Sequence, residues 1–376
     1  MACARAAAPE AAPTTRAPAA AAPTPAAATS AAGALGAGAG GGSLGSRRTP
    51  QLFVGMTSLP SRLQGIGPAL CSLAAQERRP DRLILSLPRR SAREGKEYVV
   101  PPEVQELLAE HSWVEVNRVD EDYGPGTKLL GALCWLRAHP DCWQEEDVLM
   151  ILDDDHAYRP FALEELFRKQ LSQGPKYLCS FFSYFFRGIM VPQGADIIAF
   201  QLTKGLVEEL LEFHRTFVQG DSACFLVDDL WIGMYAKVSG RTAVSLRDLV
   251  TRRGLSTIYV RTENAKVEAL EALSGEDRRD RVTLRAFDGL LARLSAAGAE
   301  GLRLWGGADA MQRIQQLSVE VKTVERQISE IERWLERERG SDSDSEASPG
   351  VQKAMEQLSK MKHLYQMQVP TPAVKR

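Results

Sequence analysis

Past residue 50 the chain alternates short apolar runs with longer segments of helical spacing. Leu52-Phe53-Val54-Gly55-Met56 reads as a buried strand, followed by a polar turn from Thr57 to Arg62. Helical spacing over 66–76 leads to a second apolar run at 83–87, entered through Pro80-Asp81. Strand, helix and strand in so short a span form a βαβ unit. The pattern repeats with a helix over 102–110, a strand over 113–119, a loop over 120–128, a helix over 129–137 and a strand over 148–152. Four such strands predict a mostly parallel sheet flanked by helices, whose ligands collect beyond the carboxyl ends of the strands.

The second half is more varied. A helix is expected over 161–172, one or two strands in the aromatic-rich stretch 177–191, a strand over 194–200 and an amphipathic helix over 203–217. Another helix opens at Val227-Asp228-Asp229-Leu230-Trp231 and runs to Lys237. Further on, Ile314, Leu317, Val321, Val324, Ile328, Ile331 and Leu335 follow alternating steps of three and four, the spacing of a coiled coil. A polar linker at 340–350 separates this stretch from a shorter helix over 351–366. Either the two helices fold back as a hairpin, or the first pairs with a second copy. The β-branched seam favours a homodimer, and the linker allows the hairpin.

Composition divides the chain further. Residues 1–48 are dominated by Ala, Pro and Gly, with too little large apolar surface to offset ordering entropy, so a disordered leader is expected. Its arginines and single acid also resemble an organellar transit peptide, which leaves a cytoplasmic or an organellar setting open. An α/β domain is expected over 49–284 and a helical coiled-coil region over 285–376. With 46 basic and 48 acidic residues, the chain offers no electrostatic case for nucleic acid. No apolar stretch reaches the roughly 20 residues of a membrane span, so a soluble chain is expected. The six cysteines lack zinc-ligand spacing and read as reduced thiols.

The chemistry concentrates where the fourth strand ends, at Asp153-Asp154-Asp155. In extended backbone alternate side chains share a face, so Asp153 and Asp155 converge and Asp154 points away. Two carboxylates at the ligand edge of a sheet suit Mg²⁺ or Mn²⁺, which fill their remaining positions with water and substrate phosphate. A calcium loop fits less well, because Ala157 and Tyr158 stand where an oxygen ligand and a turn glycine are expected. Gly124-Pro125-Gly126-Thr127-Lys128 lacks the spacing of a Walker A loop, although Lys128 is a candidate phosphate contact. Asp228 and Asp229 read either as an N-cap pair or as catalytic carboxylates, and Thr57 and Ser58 either as a helix entry or as site residues.

Taken in order, Thr57 to Arg62, Pro80 to Leu85, Asp122 to Lys128, Asp153 to Asp155 and Asp228 to Trp231 resemble the motifs of GT-A-fold, family-2-like glycosyltransferases. The resemblance covers about residues 50–255. It implies that Asp153 and Asp155 hold a divalent cation, Mn²⁺ or Mg²⁺, on the diphosphate of a nucleotide-sugar donor. It implies that Asp229 or Asp228 takes the proton of a glycan or other hydroxyl acceptor, with inversion. Thr57, Arg62, Asp120, Asp122, Lys128 and Asp154 fall on the donor side, and Asp196 and Trp231 on the acceptor side. Asp196 also reads as a strand-start residue. A further metal ligand from later in the chain is not evident, because His156 reads as directed elsewhere and His214 sits on a helix. Arg241, Arg247, Arg252 and Arg253 are either a phosphate clamp or a solvated basic face. Two other functions compete: a noncatalytic scaffold assembled through the coiled coil, and a nucleotidyltransferase, which would require a glycine- and lysine-rich loop after the first strand.

Overall fold

The computed structural model describes residues 48–266, 276–341 and 349–366. The expected leader, up to residue 47, and the middle of the polar linker, 342–348, lie outside them. The chain from Pro50 onward forms one unit.

Each of the four expected strands is present: β1 (Leu52–Met56), β2 (Arg82–Pro88), β3 (Val114–Val119) and β4 (Val148–Ile151). They pair in parallel, in the order β3-β2-β1-β4. Between them run α1 (Gly67–Ala74), α2 (Pro102–Ala109) and α3 (Thr127–Ala138). Beyond β4 come β5 (His156–Tyr158), α4 (Ala162–Gln173), β6 (Tyr177–Ser180), the hairpin β7 (Ser183–Phe186) and β8 (Ile189–Pro192), and β9 (Ile198–Gln201). Then follow α5 (Lys204–Phe213), α6 (Asp228–Ser239), β10 (Thr242–Ser245), α7 (Arg247–Arg252) and β11 (Tyr259–Arg261).

The central sheet has seven strands, ordered β10-β6-β9-β4-β1-β2-β3, with β9 alone antiparallel to its neighbours β4 and β6. This is the mostly parallel α/β sheet that the GT-A resemblance implies. The stretch 194–200, expected as one strand, is divided. Gly194–Asp196 make a 3₁₀ turn, and Ile197, a β-branched residue at φ +58°, turns the chain into β9. A β-branched side chain is strained there, so the surrounding packing must hold the turn.

Strand side chains alternate between two cores. Leu52, Val54 and Met56 of β1 join Val148 and Met150 of β4 beneath α1, α2, α4 and α7. Phe53 joins Leu149 and Ile151 on the opposite face, against α3, α5 and α6. A period of two buried on both sides is what makes these strands read as unbroken apolar runs.

The C-terminal helices α8 (Glu276–Gly301), α9 (Ala308–Ser341) and α10 (Pro349–Gln366) extend the second layer. Phe287, Leu290 and Leu294 of α8 and Ile314, Leu317 and Val321 of α9 lie in the same core as Leu230 and Trp231 of α6. Arg313 of α9 donates to the Val238 carbonyl near the end of α6, at 2.6 Å and 3.0 Å. The heptad stripe is therefore shared within the chain. Its first half packs on the α/β layers, and farther along α9 Glu332 pairs with Lys362 of α10 at 2.6 Å. Within the chain α9 and α10 meet as the expected hairpin requires. Among the described residues no helix is long and apolar enough to cross a membrane.

Candidate active site

A cavity of about 240 Å³ opens at the carboxyl ends of β1, β2 and β4. Its walls bring together Thr57, Arg62, Asp122, Lys128, Asp153, Asp154, Asp155, Asp228 and Asp229, which lie far apart in sequence. Asp120, Asp196 and Trp231 are not among its lining residues. Asp120 is exposed and paired with Arg89 at 2.9 Å. Trp231 is a core residue, 2% exposed, edge-on to His214. Asp196 is buried behind the cavity wall, and burial pushes its carboxyl up to about 7.

Where β4 gives out, the three aspartates take different partners. Asp153 is partly open to the cavity, and its amide donates to Tyr158 Oη at 3.0 Å. Asp154 is buried. Ser58 Oγ donates to one of its oxygens and Arg62 Nη1 meets the other at 3.2 Å. Burial raises its carboxyl to about 6, and Arg62 limits the rise. Asp155 takes the same Arg62 Nη1 at 3.3 Å, and its carbonyl accepts from the amide and hydroxyl of Thr262 at 2.9 Å and 3.0 Å. Burial works against its charge, but His156 and Arg62 outweigh it and hold the carboxyl below its ordinary value.

His156 belongs to this cluster, contrary to the expectation that it points elsewhere. Its Nδ1 lies 2.7 Å from Asp155 Oδ1, and Asp153, Asp155 and His156 each offer a ligand atom within 4.8 Å of the others. The cause is a long-range pairing. β11 lies antiparallel on β5, setting Arg261 opposite His156 and stacking the Tyr259 ring edge-on against the imidazole, with centroids 3.9 Å apart. No sequence signal announces this, because β5 is three residues long and its partner follows α7. The imidazole is buried, and its Nε2 has no hydrogen-bond partner. An imidazole nitrogen and two carboxylate oxygens within 4.8 Å of one another are a donor set that a divalent cation would satisfy.

Lys128 enters from the first turn of α3. Its Nζ donates to Asp153 Oδ1 at 2.7 Å and lies 2.9 Å from Asp228 Oδ2, so both carboxylates reach one ammonium that is 3% exposed. Burial favours the neutral amine, but Asp153 and Asp228 outweigh it and raise the group well above the ordinary lysine value. Asp228 and Asp229 both lie in the first turn of α6, after Val227 at the N-cap position, which makes no side-chain capping hydrogen bond. Asp229 is half-buried at the cavity wall, and its Oδ1 accepts from the Gly194 amide at 2.9 Å. Burial, then the neighbouring Asp228 charge, push its carboxyl up to about 8.

No protein-family model matches the chain, and no curated protein does. Solved structures do. They include residues 1–349 of S. aureus TarS, at 16% identity over 75% of this chain and 87% of that one, with a TM-score of 0.39. The glycosyltransferase GlyE of Streptococcus pneumoniae TIGR4 is 17% identical over 54% of this chain and 46% of that one, with a TM-score of 0.34. A 4-diphosphocytidyl-2C-methyl-D-erythritol synthase is 8% identical over 53% of this chain and 90% of that one, with a TM-score of 0.35. These are likenesses of fold, and the chemistry of the site rests on its own residues.

Several sequence candidates, inside the cavity wall and outside it, are held by contacts within the protein. Thr57 Oγ1 donates to the Ser86 carbonyl and Ser58 serves Asp154, so neither caps α1. Asp122 ties two loops together, accepting from the amides of Gly124 at 2.8 Å and Ala92 at 2.7 Å. His214 packs between Tyr123 and Trp231. Arg241 pairs with Glu209 and Arg253 with Glu165, each at 2.6 Å, and none of the four arginines from Arg241 to Arg253 lines the cavity. The arginines that do line it are Arg62, Arg93 and Arg261. Tyr184, Leu226, Val227 and Thr283, the last of these from α8, also line it.

Proposed function

We propose that the protein is a metal-dependent glycosyltransferase that moves a sugar from a nucleotide-diphosphate sugar to a hydroxyl acceptor with inversion. The observation that carries this reading is one cavity holding two separate carboxylate groups. Asp153 and Asp155 stand with His156 at the end of β4, and Asp229 lines the same cavity from the start of α6.

Asp153, Asp155 and His156 are the residues that would hold the cation. Carboxylates suit Mg²⁺ and Mn²⁺ alike, while an imidazole in the set favours Mn²⁺. A divalent cation bound there would supply stabilisation for the charge that develops on the departing diphosphate. Asp229 is the base. Its carboxyl, pushed up to about 8, lies near the pH range where a proton acceptor works best. As the acceptor oxygen bonds to the anomeric carbon, the bond from that carbon to the phosphate oxygen breaks. Its electron pair leaves on the diphosphate, and the acceptor proton passes to Asp229. Asp228 is the weaker candidate for this role, because it is buried and faces Lys128.

Titration calorimetry with a panel of nucleoside diphosphates, with and without Mn²⁺, tests the donor side. Binding that requires the metal and is lost in Asp153→Asn and Asp155→Asn supports the reading. Metal-independent binding, or unchanged sugar transfer in both variants, overturns it.

A further inference from the structure

Lys128 holds a place that a phosphate contact does not explain. It is a buried ammonium between two carboxylates from different elements, 2.7 Å from Asp153 at the end of β4 and 2.9 Å from Asp228 at the start of α6. Two glycines clear its course. A Cβ on Gly55 would stand 2.3 Å from the Lys128 carbonyl, so β1 and the first turn of α3 meet only because that residue has none. A Cβ on Gly194 would stand 2.6 Å from Lys128 Nζ and 3.1 Å from Asp229 Oδ1. The ammonium thus sits where the β4 end, the α6 start and the Gly194 turn converge.

The charges at that point decide what it does. Asp153, Asp228 and Asp229 would together place three carboxylates around one small volume, and such a cluster does not stay ionised without compensation. Lys128 supplies a fixed positive charge at ion-pair distance from two of them, Asp153 and Asp228. Asp229 is left with one backbone amide as its hydrogen-bond donor.

Building on the transferase reading, we propose that Lys128 is a positioning residue that locks the metal-side carboxylate Asp153 to Asp228 at the start of the base helix, leaving Asp229 as the carboxylate free to take the acceptor proton. Lys128 then makes no contact with the donor phosphates. Its ammonium donates a hydrogen bond to Asp153 and lies at ion-pair distance from Asp228, and almost none of the residue's surface is open to the cavity.

A double-mutant cycle decides this. Lys128→Met leaves Asp228 buried without its cation, so the melting temperature falls and kcat drops by roughly tenfold or more, while donor KM and Mn²⁺-dependent nucleoside-diphosphate affinity stay within about threefold. Adding Asp228→Asn removes the stranded charge, and the double variant regains most of the melting temperature and about tenfold in kcat. Lys128→Arg keeps the charge and retains more activity than Lys128→Met. A rise in donor KM or a loss of nucleoside-diphosphate affinity in Lys128→Met would mean that the ammonium meets phosphate, and would overturn the proposal. So would additive effects of the two substitutions on melting temperature. If no sugar transfer is detected at all, the transferase reading fails, and the stability cycle and diphosphate binding still decide whether Lys128 couples the two carboxylates or binds phosphate.

Discussion

The Gly194 amide donates a 2.9 Å hydrogen bond to Asp229 Oδ1, joining the turn before β9 to the first residues of α6. One oxygen of the proposed base is thereby fixed. Gly194→Ala would set a methyl 3.1 Å from that oxygen and 2.6 Å from Lys128 Nζ, forcing both side chains to move. Turnover should fall by about one to two orders of magnitude, on the scale of a misplaced catalytic group. Asp229→Asn should cost about 10²–10⁴-fold in kcat. Steady-state release of nucleoside diphosphate measures both, and circular dichroism checks that the fold is kept.

His156 provides a test of the metal cluster that needs no substrate. Mn²⁺ at 100 times its dissociation constant should stabilise the wild-type protein by about 2.7 kcal/mol. In His156→Ala that stabilisation should largely vanish, and thermal melts with and without Mn²⁺ will show it. Equal Mn²⁺ shifts in the two proteins would remove His156 from the ligand set.

Leu317 ties the C-terminal helices to the α/β layers. It is fully buried, and its Cδ1 lies where a Cβ on Gly188, in the β7–β8 turn, would come within 2.5 Å. Beside it Arg187 pairs with Asp288 of α8 at 2.5 Å and with Glu325 of α9. Leu317→Ala should cost about 2–5 kcal/mol in urea unfolding. Deleting 305–376 would expose the α6 face that Ile314, Leu317 and Val321 cover, and the shortened chain should lose cooperative unfolding.

Acid should destabilise the fold through His214. Burial alone lowers its imidazole to about 4, from an ordinary value near 6.5. The unfolded chain therefore binds the proton more readily across that interval. The stabilisation from burying the neutral ring is complete above about pH 6.5 and is lost as pH falls toward 4, a change of at most about 3 kcal/mol. Unfolding measured between pH 4 and 7 in wild type and His214→Phe should show a shallower slope in the variant.

Apolar periodicity alone determined most of the sheet in this protein. The runs at β1, β2 and β4 were legible because burial on both faces leaves a local signature, and Asp153 and Asp155 were legible because the last run ends abruptly in acid. The heptad stripe was equally plain, but a stripe names a face and not what covers it. Only the tertiary structure decided that α6 covers the first half of that face within one chain. It also decided that β11 would fold back on β5 and bring His156 to the aspartates, and that Lys128 would span from Asp153 to Asp228. These relationships depend on crossovers between distant segments, and a crossover leaves no period in the sequence.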